Sequence, residues 1–176
     1  KKTPDYTKMM PVTRKQYIQS PSPIKAELLK VFDRSDPLVI FDIGSCEGED
    51  AIRYSSLFPE STIYAFEPLL SNIKMIRKNI KNYNAPNVQV VMEALGCSIG
   101  KSKFYISDDA PPGLKNDDNW NYGNKSSSLF EPNLKVMPNW LEFNKFIDVQ
   151  VNTVNNFCSI NSIDRIDFIH LDVQGA

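Results

Sequence analysis

Apolar residues recur along this chain in two periods, and the points where the period changes mark out its elements. Ser22 and Pro23 read as a cap and a first helical residue, and Ile24, Leu28, Val31 and Phe32 behind them share one face. That pattern predicts a helix of about three turns. Leu38 to Phe41 is a continuous apolar run ending in Asp42-Ile43-Gly44, as expected of a strand buried on both faces and stopped by a turn. Gly48 to Phe58 suits a helix. Ser61 to Phe66, rich in β-branched and aromatic residues, predicts a second strand closing on Glu67-Pro68. Leu69, Ile73, Ile76 and Ile80 form the next helical stripe, with Lys74, Arg77, Lys78 and Lys81 as its solvated basic face. Val88 to Met92 is a third strand, followed by Glu93-Ala94-Leu95-Gly96.

The alternation then breaks. Lys103 to Ile106 and Ile147 to Val151 read as strands that pair antiparallel near a sheet edge. Between them lie about forty residues rich in Pro, Asp, Asn and Gly, and a connection of that length inside a compact domain marks a lid or binding loop more often than filler. Asp167 to Leu171 (DFIHL) is the last strand, leading into Asp172-Val173-Gln174-Gly175-Ala176. Repeated strand-helix units are satisfied most simply by right-handed crossovers. The expected class is therefore α/β, a Rossmann-like doubly wound, mainly parallel sheet with flanking helices. Residues 1–21, polar and without a sustained period, are expected to form an N-terminal arm, extended or loosely ordered, and residues 22–176 a single domain. A fourth strand as apolar as DFIHL would be left as an exposed edge, so the expectation is a sheet truncated after its fourth parallel strand, with further C-terminal strands missing.

Composition narrows the class. The 176 residues are 41% hydrophobic, enough for one ordinary core, which excludes a disordered or fibrous chain. A net charge of -1 provides no positive field to hold a phosphate backbone, so a nucleic-acid partner is not expected. No run approaches the ~20 apolar residues of a membrane span, and KKTPDYTKMM lacks the apolar core of a secretory signal. The chain reads as soluble and cytoplasmic. Cys46, Cys97 and Cys158, widely separated and without a CxxC pair, read as reduced thiols in or near the core. No His and carboxylate pair stands at ligand spacing, so no metal is expected.

In an open α/β sheet, ligands sit beyond the carboxyl ends of the strands. Asp42, Glu67, Glu93 and Asp172 end the four proposed parallel strands, and four acids on one rim point to a ligand with hydroxyls and cationic groups. The loop Asp42-Ile43-Gly44-Ser45-Cys46-Glu47-Gly48 has Gly44 and Gly48 where a tight turn brings backbone amides close to a ligand. A dinucleotide site wants GxGxxG, but the spacing here is GxxxG, and Asp42, Glu47, Glu49 and Asp50 would repel a pyrophosphate. S-adenosylmethionine has no phosphate. It carries an amino-acid end, a sulfonium, a ribose diol and an adenine, all of which an acidic, glycine-bearing loop tolerates. Glu67, at the end of the second strand, is placed to accept both ribose hydroxyl protons.

These residues also carry a resemblance. FDIGSCEGED, YAFEP, the NVQVVMEALGCSIGKSKFY run, SSSLF and RIDFIHLDVQGA resemble the successive motifs of the FkbM-type methyltransferases over about residues 38–176. The resemblance implies a Rossmann-like domain that binds S-adenosylmethionine and passes its methyl group, usually to an oxygen. It matches Asp42, Gly44 and Gly48 to the glycine-loop motif, Glu67 to the ribose-binding acid, Glu93 and Ala94 to the position beside adenine, and Asp172 to the acid at the fourth strand. With their neighbours, the expected cofactor contacts are Asp42, Gly44, Ser45, Cys46, Gly48, Glu67, Pro68, Glu93, Ala94 and Asp172. Two departures stand out: the family usually has Lys where this chain has His170, and an acidic residue and further strands would be expected after Ala176.

Methyl transfer from a sulfonium needs alignment and, at most, removal of a proton. Asp172 and His170 are the candidate catalytic residues, Asp172 near the methyl group and His170 as a base with an ordinary pKa of about 6.5. The plainer roles are a turn cap for Asp172 and a hydrogen-bonded core histidine for His170. Ser126, Ser127 and Ser128 match the family's serine motif and are candidate contacts to acceptor or cofactor, or ordinary loop residues. Trp120, Tyr122 and Trp140 offer either a stacking platform or anchors for a long loop, with anchors favoured. The expected partner is a small hydroxyl-bearing acceptor such as a sugar. An RNA or protein methyltransferase, or a cofactor-binding module without turnover, are the alternatives.

Overall fold

The computed structural model describes residues 13–133, 135 and 137–175. Residues 1–12 of the expected arm, and Ala176 of the terminal run, lie outside them. Helix α1 (Arg14–Gln19) occupies the rest of the arm where extended chain was expected, with Thr13 as its cap accepting from the Gln16 amide at 3.1 Å. Helix α2 is a single turn, Lys25–Leu28, rather than three. The expected apolar face is only half covered: Leu28 is buried and Phe32 packs against the core, but Val31 is 71% exposed, and Ile24 sits at the cap without a side-chain bond to hold the first turn.

From there the alternation follows the sequence closely: β1 (Val39–Ile43), α3 (Glu49–Leu57), β2 (Thr62–Phe66), α4 (Leu70–Asn82) and β3 (Val88–Val91). These strands, with a later one, build a parallel four-stranded sheet. The remaining elements are β4 (Ala94–Leu95), β5 (Gly100–Asp108), a 3-10 turn (Gly123–Ser126), β6 (Glu142–Asn152), α5 (Val154–Ile160) and β7 (Phe168–Leu171). Strand order in the parallel sheet is β3-β2-β1-β7, so the chain reverses direction across the sheet between β1 and β7. That is the crevice where open α/β sheets hold ligands.

Each face of the sheet has its own helices. Ile40, Ile63 and Ala65 pack under Ala51, Ile52, Tyr54 and Leu57 of α3. On the opposite face Phe41, Ile43 and Phe66 enclose Phe157 of α5, with ring centroids 4.8 Å from Phe66 and 5.6 Å from Phe41. Helix α5 is announced by Thr153, whose hydroxyl caps it through the Asn156 amide, and by no apolar period. The strands β5 and β6 do pair antiparallel, but as part of a separate three-stranded sheet in which β4 runs parallel to β6. Ala94, Phe104, Val149 and Val151 form its small core. Cys97 is exposed, a correction to its expected place in or near the core, while Cys46 and Cys158 are half-buried. Among the described residues no helix is long and apolar enough to cross a membrane.

Candidate functional site

The four parallel strands end on one rim, and the loops leaving it build the site. After β1, the amides of Gly44 and Ser45 both donate to the Phe66 carbonyl at the end of β2, at 3.1 and 3.0 Å. The turn then passes through left-handed backbone at Gly44, Cys46 and Gly48 (φ 82°, 51° and 80°). Position 44 admits only glycine, because a Cβ there would stand 2.1 Å from the Asp172 carbonyl oxygen. Cys46 has no such freedom, and its conformation costs on the order of 1–3 kcal/mol. The Cys46 amide is held by Glu67 Oε2 at 3.0 Å, and Glu67 Oε1 accepts from the Leu69 amide at 2.7 Å. Glu67 therefore ties the glycine loop to the end of β2. Burial pushes its carboxyl up to about 7, against these bonds.

Asp42 faces the opposite way. It is buried, accepts from the Ser45 hydroxyl at 2.6 Å, and meets His170 Nδ1 at 2.9 Å across the β1–β7 ladder, in which the two are register partners. Burial raises the Asp42 pKa, opposed by the bonds from His170 and Ser45. The Asp42 bond, joined by the charges of Asp50 and Asp172 and opposed by burial, raises that of His170. The imidazole stands edge-on to Tyr54 at 5.7 Å.

The long connection from β5 to β6 folds back over the glycine loop. Arg14 fastens it: its guanidinium pairs with Glu47 at 2.6 Å and donates to the Asp118 carbonyl at 2.7 Å. The Arg14 amide donates to the Asn119 carbonyl. Trp120 and Tyr122 are buried, and Trp120 leans on Tyr17 at 5.5 Å, so these aromatics anchor the segment. Asn124 donates to Asn72 at 3.0 Å. Lys125 reaches Glu49 Oε1 at 2.6 Å, with its ammonium 4.2 Å from the Trp120 ring centroid. Burial alone would lower the Lys125 pKa, but the carboxylates of Glu49 and Glu47 beside it raise it, so the side chain stays cationic.

Two adjoining clefts result. One, of about 520 Å³, is walled by Ile43, Phe66, Leu95, Phe104, Leu129 and Val173 and carries Glu67, Pro68, Glu93, Ala94, Ser127 and Ser128. The other, of about 510 Å³, is lined by Tyr17, Asp42, Ser45, Glu49, Asp50, Trp120 and His170. Gly44, Cys46, Lys125 and Asp172 border both. Of the expected cofactor and acceptor contacts, Gly48 and Ser126 line neither cleft, and of the three loop aromatics only Trp120 lines one. Gly48 packs against Ile76, where a Cβ would approach its Cγ2 to 3.0 Å, and the Ser126 amide donates to the Ser107 hydroxyl. The apolar walls Leu95, Phe104 and Leu129 and the cation Lys125 were not anticipated; only the position of Lys125 beside the serine run hinted at it.

The first cleft fits a purine nucleoside. Its apolar walls suit a planar base, and the two Glu67 oxygens offer about four acceptor sites, of which amides occupy two. The start of α3 does not fit a phosphate, because Glu49 and Asp50 hold its first turn.

Comparison with known proteins points the same way. The family described as "Methyltransferase FkbM domain" matches residues 42–176. Among curated proteins the chain is similar to "2-O-methyltransferase NoeI" of Sinorhizobium fredii, 27% identical over 154 residues that make up 87% of this chain and 59% of that protein. It is also similar to "Methyltransferase 1" of Beauveria bassiana, 26% identical over 148 residues, 80% of this chain and 56% of that one. The chain thus spans somewhat over half the length of these relatives. Among solved structures it is similar to an FkbM methyltransferase from Methylobacillus flagellatus, 13% identical with a TM-score of 0.49, over 93% of this chain and 33% of that one.

Proposed function

Because this chain belongs to the FkbM-type methyltransferases, we propose that it binds S-adenosylmethionine in the first cleft and serves transfer of its methyl group to a hydroxyl of a small acceptor, such as a sugar, in the second. The observation that carries this reading is the junction of the two clefts, with the buried carboxyl of Glu67 on one side and the paired His170 and Asp42 on the other. The Sinorhizobium fredii relative is a 2-O-methyltransferase, which supports oxygen as the accepting atom.

When bound, S-adenosylmethionine supplies a methyl carbon already activated by its sulfonium. Glu67 accepts from the ribose hydroxyls, Pro68, Glu93 and Ala94 flank the base, the loop residues Gly44, Ser45 and Cys46 border the amino-acid end, and Asp172 offers a carboxylate to its ammonium. Ser127 and Ser128 line this same cleft, which supports a contact to the cofactor rather than to the acceptor. His170 is the base. Asp42 holds the imidazole through Nδ1, which keeps the proton there and leaves the Nε2 lone pair to take a proton from the acceptor hydroxyl; the resulting imidazolium is stabilised by the Asp42 carboxylate.

Calorimetric titration with S-adenosylmethionine and with NAD tests the cofactor: the first binds, and binding of NAD alone would overturn the reading. Transfer of a labelled methyl group to saccharide, RNA and protein acceptors then separates the acceptor classes, with a saccharide product expected. Binding without transfer to any class would make the protein a module without turnover. His170→Gln is expected to slow transfer by about 100-fold, the low end for loss of a general base, while leaving cofactor affinity unchanged.

A further inference from the structure

The passage where the two clefts adjoin has a distinctive chemistry. Four residues border both clefts, Gly44, Cys46, Lys125 and Asp172, and the Gly44 backbone lies close against the Asp172 carbonyl. Around it the clefts are acidic, with Asp42, Glu49, Asp50, Glu67, Glu93 and Asp172 among their lining residues. Among the described residues that line either cleft, Lys125 is the only Lys or Arg. The other cations close by are committed elsewhere: Arg14 pairs with Glu47 at 2.6 Å, and Arg53 pairs with Asp50 at 3.1 Å and donates to the Tyr17 carbonyl.

An α-amino-acid group carries an ammonium and a carboxylate on one carbon, so a site for it needs an anion and a cation side by side. The shared passage supplies one of each. We infer that Lys125 binds the carboxylate of the cofactor's amino-acid end, across from Asp172, which takes the ammonium. This rests on S-adenosylmethionine being the cofactor and adds to it a residue from the long β5–β6 connection. With the nucleoside seated against Glu67 and Ala94, the amino-acid end leaves the first cleft through this passage.

Lys125 has the capacity for the contact. An ammonium has three N–H donors. Glu49 Oε1 takes one at 2.6 Å, and the remaining polar neighbours are Glu47 Oε2 at 4.0 Å and the Cys46 sulfur at 3.8 Å, a weak acceptor that burial keeps as a thiol. Glu49 is not dependent on Lys125 alone, because its other oxygen accepts from the Glu47 amide at 3.1 Å. The Trp120 ring and Glu49 hold the Lys125 ammonium in place, so little side-chain freedom is lost when a ligand arrives.

Decarboxylated S-adenosylmethionine keeps the sulfonium, the amine and the nucleoside and lacks only the carboxylate. Calorimetric titration of the chain with both compounds isolates the contact. The unmodified chain is expected to prefer S-adenosylmethionine by about tenfold, the scale of one charge-assisted hydrogen bond at a partly exposed site. Lys125→Met is expected to erase that preference by weakening S-adenosylmethionine alone, and Lys125→Arg to retain it. A preference that survives Lys125→Met overturns the inference, and so does equal weakening of both compounds. An unmodified chain that binds neither compound overturns the cofactor reading itself, which is a different result from a changed preference.

Discussion

Glu67 holds a carboxyl group at 4% exposure, so the pH at which it ionises bears directly on folding. Its pKa rises from 4.5 to about 7 because burial outweighs the amide bonds of Cys46 and Leu69. A carboxyl whose folded pKa is raised holds its proton in the folded state after the unfolded chain has lost it. The resulting stability is complete below 4.5 and is lost as pH rises through about 7, a loss of about 3 kcal/mol at 1.36 kcal/mol per unit. Urea denaturation across this range should show the decline, together with same-sign contributions from Asp42 and His170, and Glu67→Gln should flatten it; an unchanged slope in that variant would refute the assignment. Ribose hydroxyls donate best to the ionised form, so nucleoside binding near pH 7 should release a proton, seen as a buffer-dependent enthalpy that Glu67→Gln removes. Glu67 and Asp42 were legible in the sequence because both stand at the ends of apolar strands, where position follows from the pattern. Lys125 was not, since a lysine in a connection without period has its position set by tertiary contacts to Glu49 and Trp120.

Helix α1 and the β5–β6 connection are joined at Arg14, through its guanidinium and its amide, beside the Tyr17–Trp120 ring contact, which makes Arg14 the main point where the two elements depend on each other. Its side chain and that of Glu47 are 8% and 4% exposed, and it also donates to the Asp118 carbonyl. Removing one member of a buried pair strands the other charge, so Arg14→Ala is expected to destabilise the chain by about 3 kcal/mol. Adding Glu47→Gln to that variant should restore part of the loss, and a thermodynamic cycle over the four proteins measures the coupling; additive losses would show that the pair is not the fastening. This fastening explains which elements the sequence conceals. The strands β1, β2 and β3 and the helices α3 and α4 bury continuous or periodic apolar faces, and the pattern placed them within a residue or two. Helix α1 has six residues and buries Ile18 beside Arg14, so its stability comes from an ion pair rather than a stripe. The two-residue β4 is similarly too short for any period, and with it went the separate sheet it forms with β5 and β6.

Across the whole molecule, the reversal of strand order between β1 and β7 brings together segments far apart in the chain: the glycine loop, the end of β2, the start of β4, the 3-10 turn and the end of β7. Ile43, Phe66, Leu95 and Val173 share one apolar cluster, but the glycine loop past Ile43 and the 3-10 turn stand outside it. Their links are individual bonds such as Gly44 to the Phe66 carbonyl, Asn124 to Asn72, and the Ser128 hydroxyl to the Val173 carbonyl at 3.3 Å. A ligand touching all five therefore replaces separate local openings with one linked unit, and its binding free energy is shared among them. S-adenosylhomocysteine at 100 times its Kd is expected to stabilise the fold by about 2.7 kcal/mol. Amide hydrogen exchange should then slow together at 42–48, 67–69, 94–95, 123–128 and 172–174, and stay unchanged along the exposed basic face of α4. Protection confined to the glycine loop would mean that the ligand rests on one segment and that the second sheet and its long connection take no part in the site.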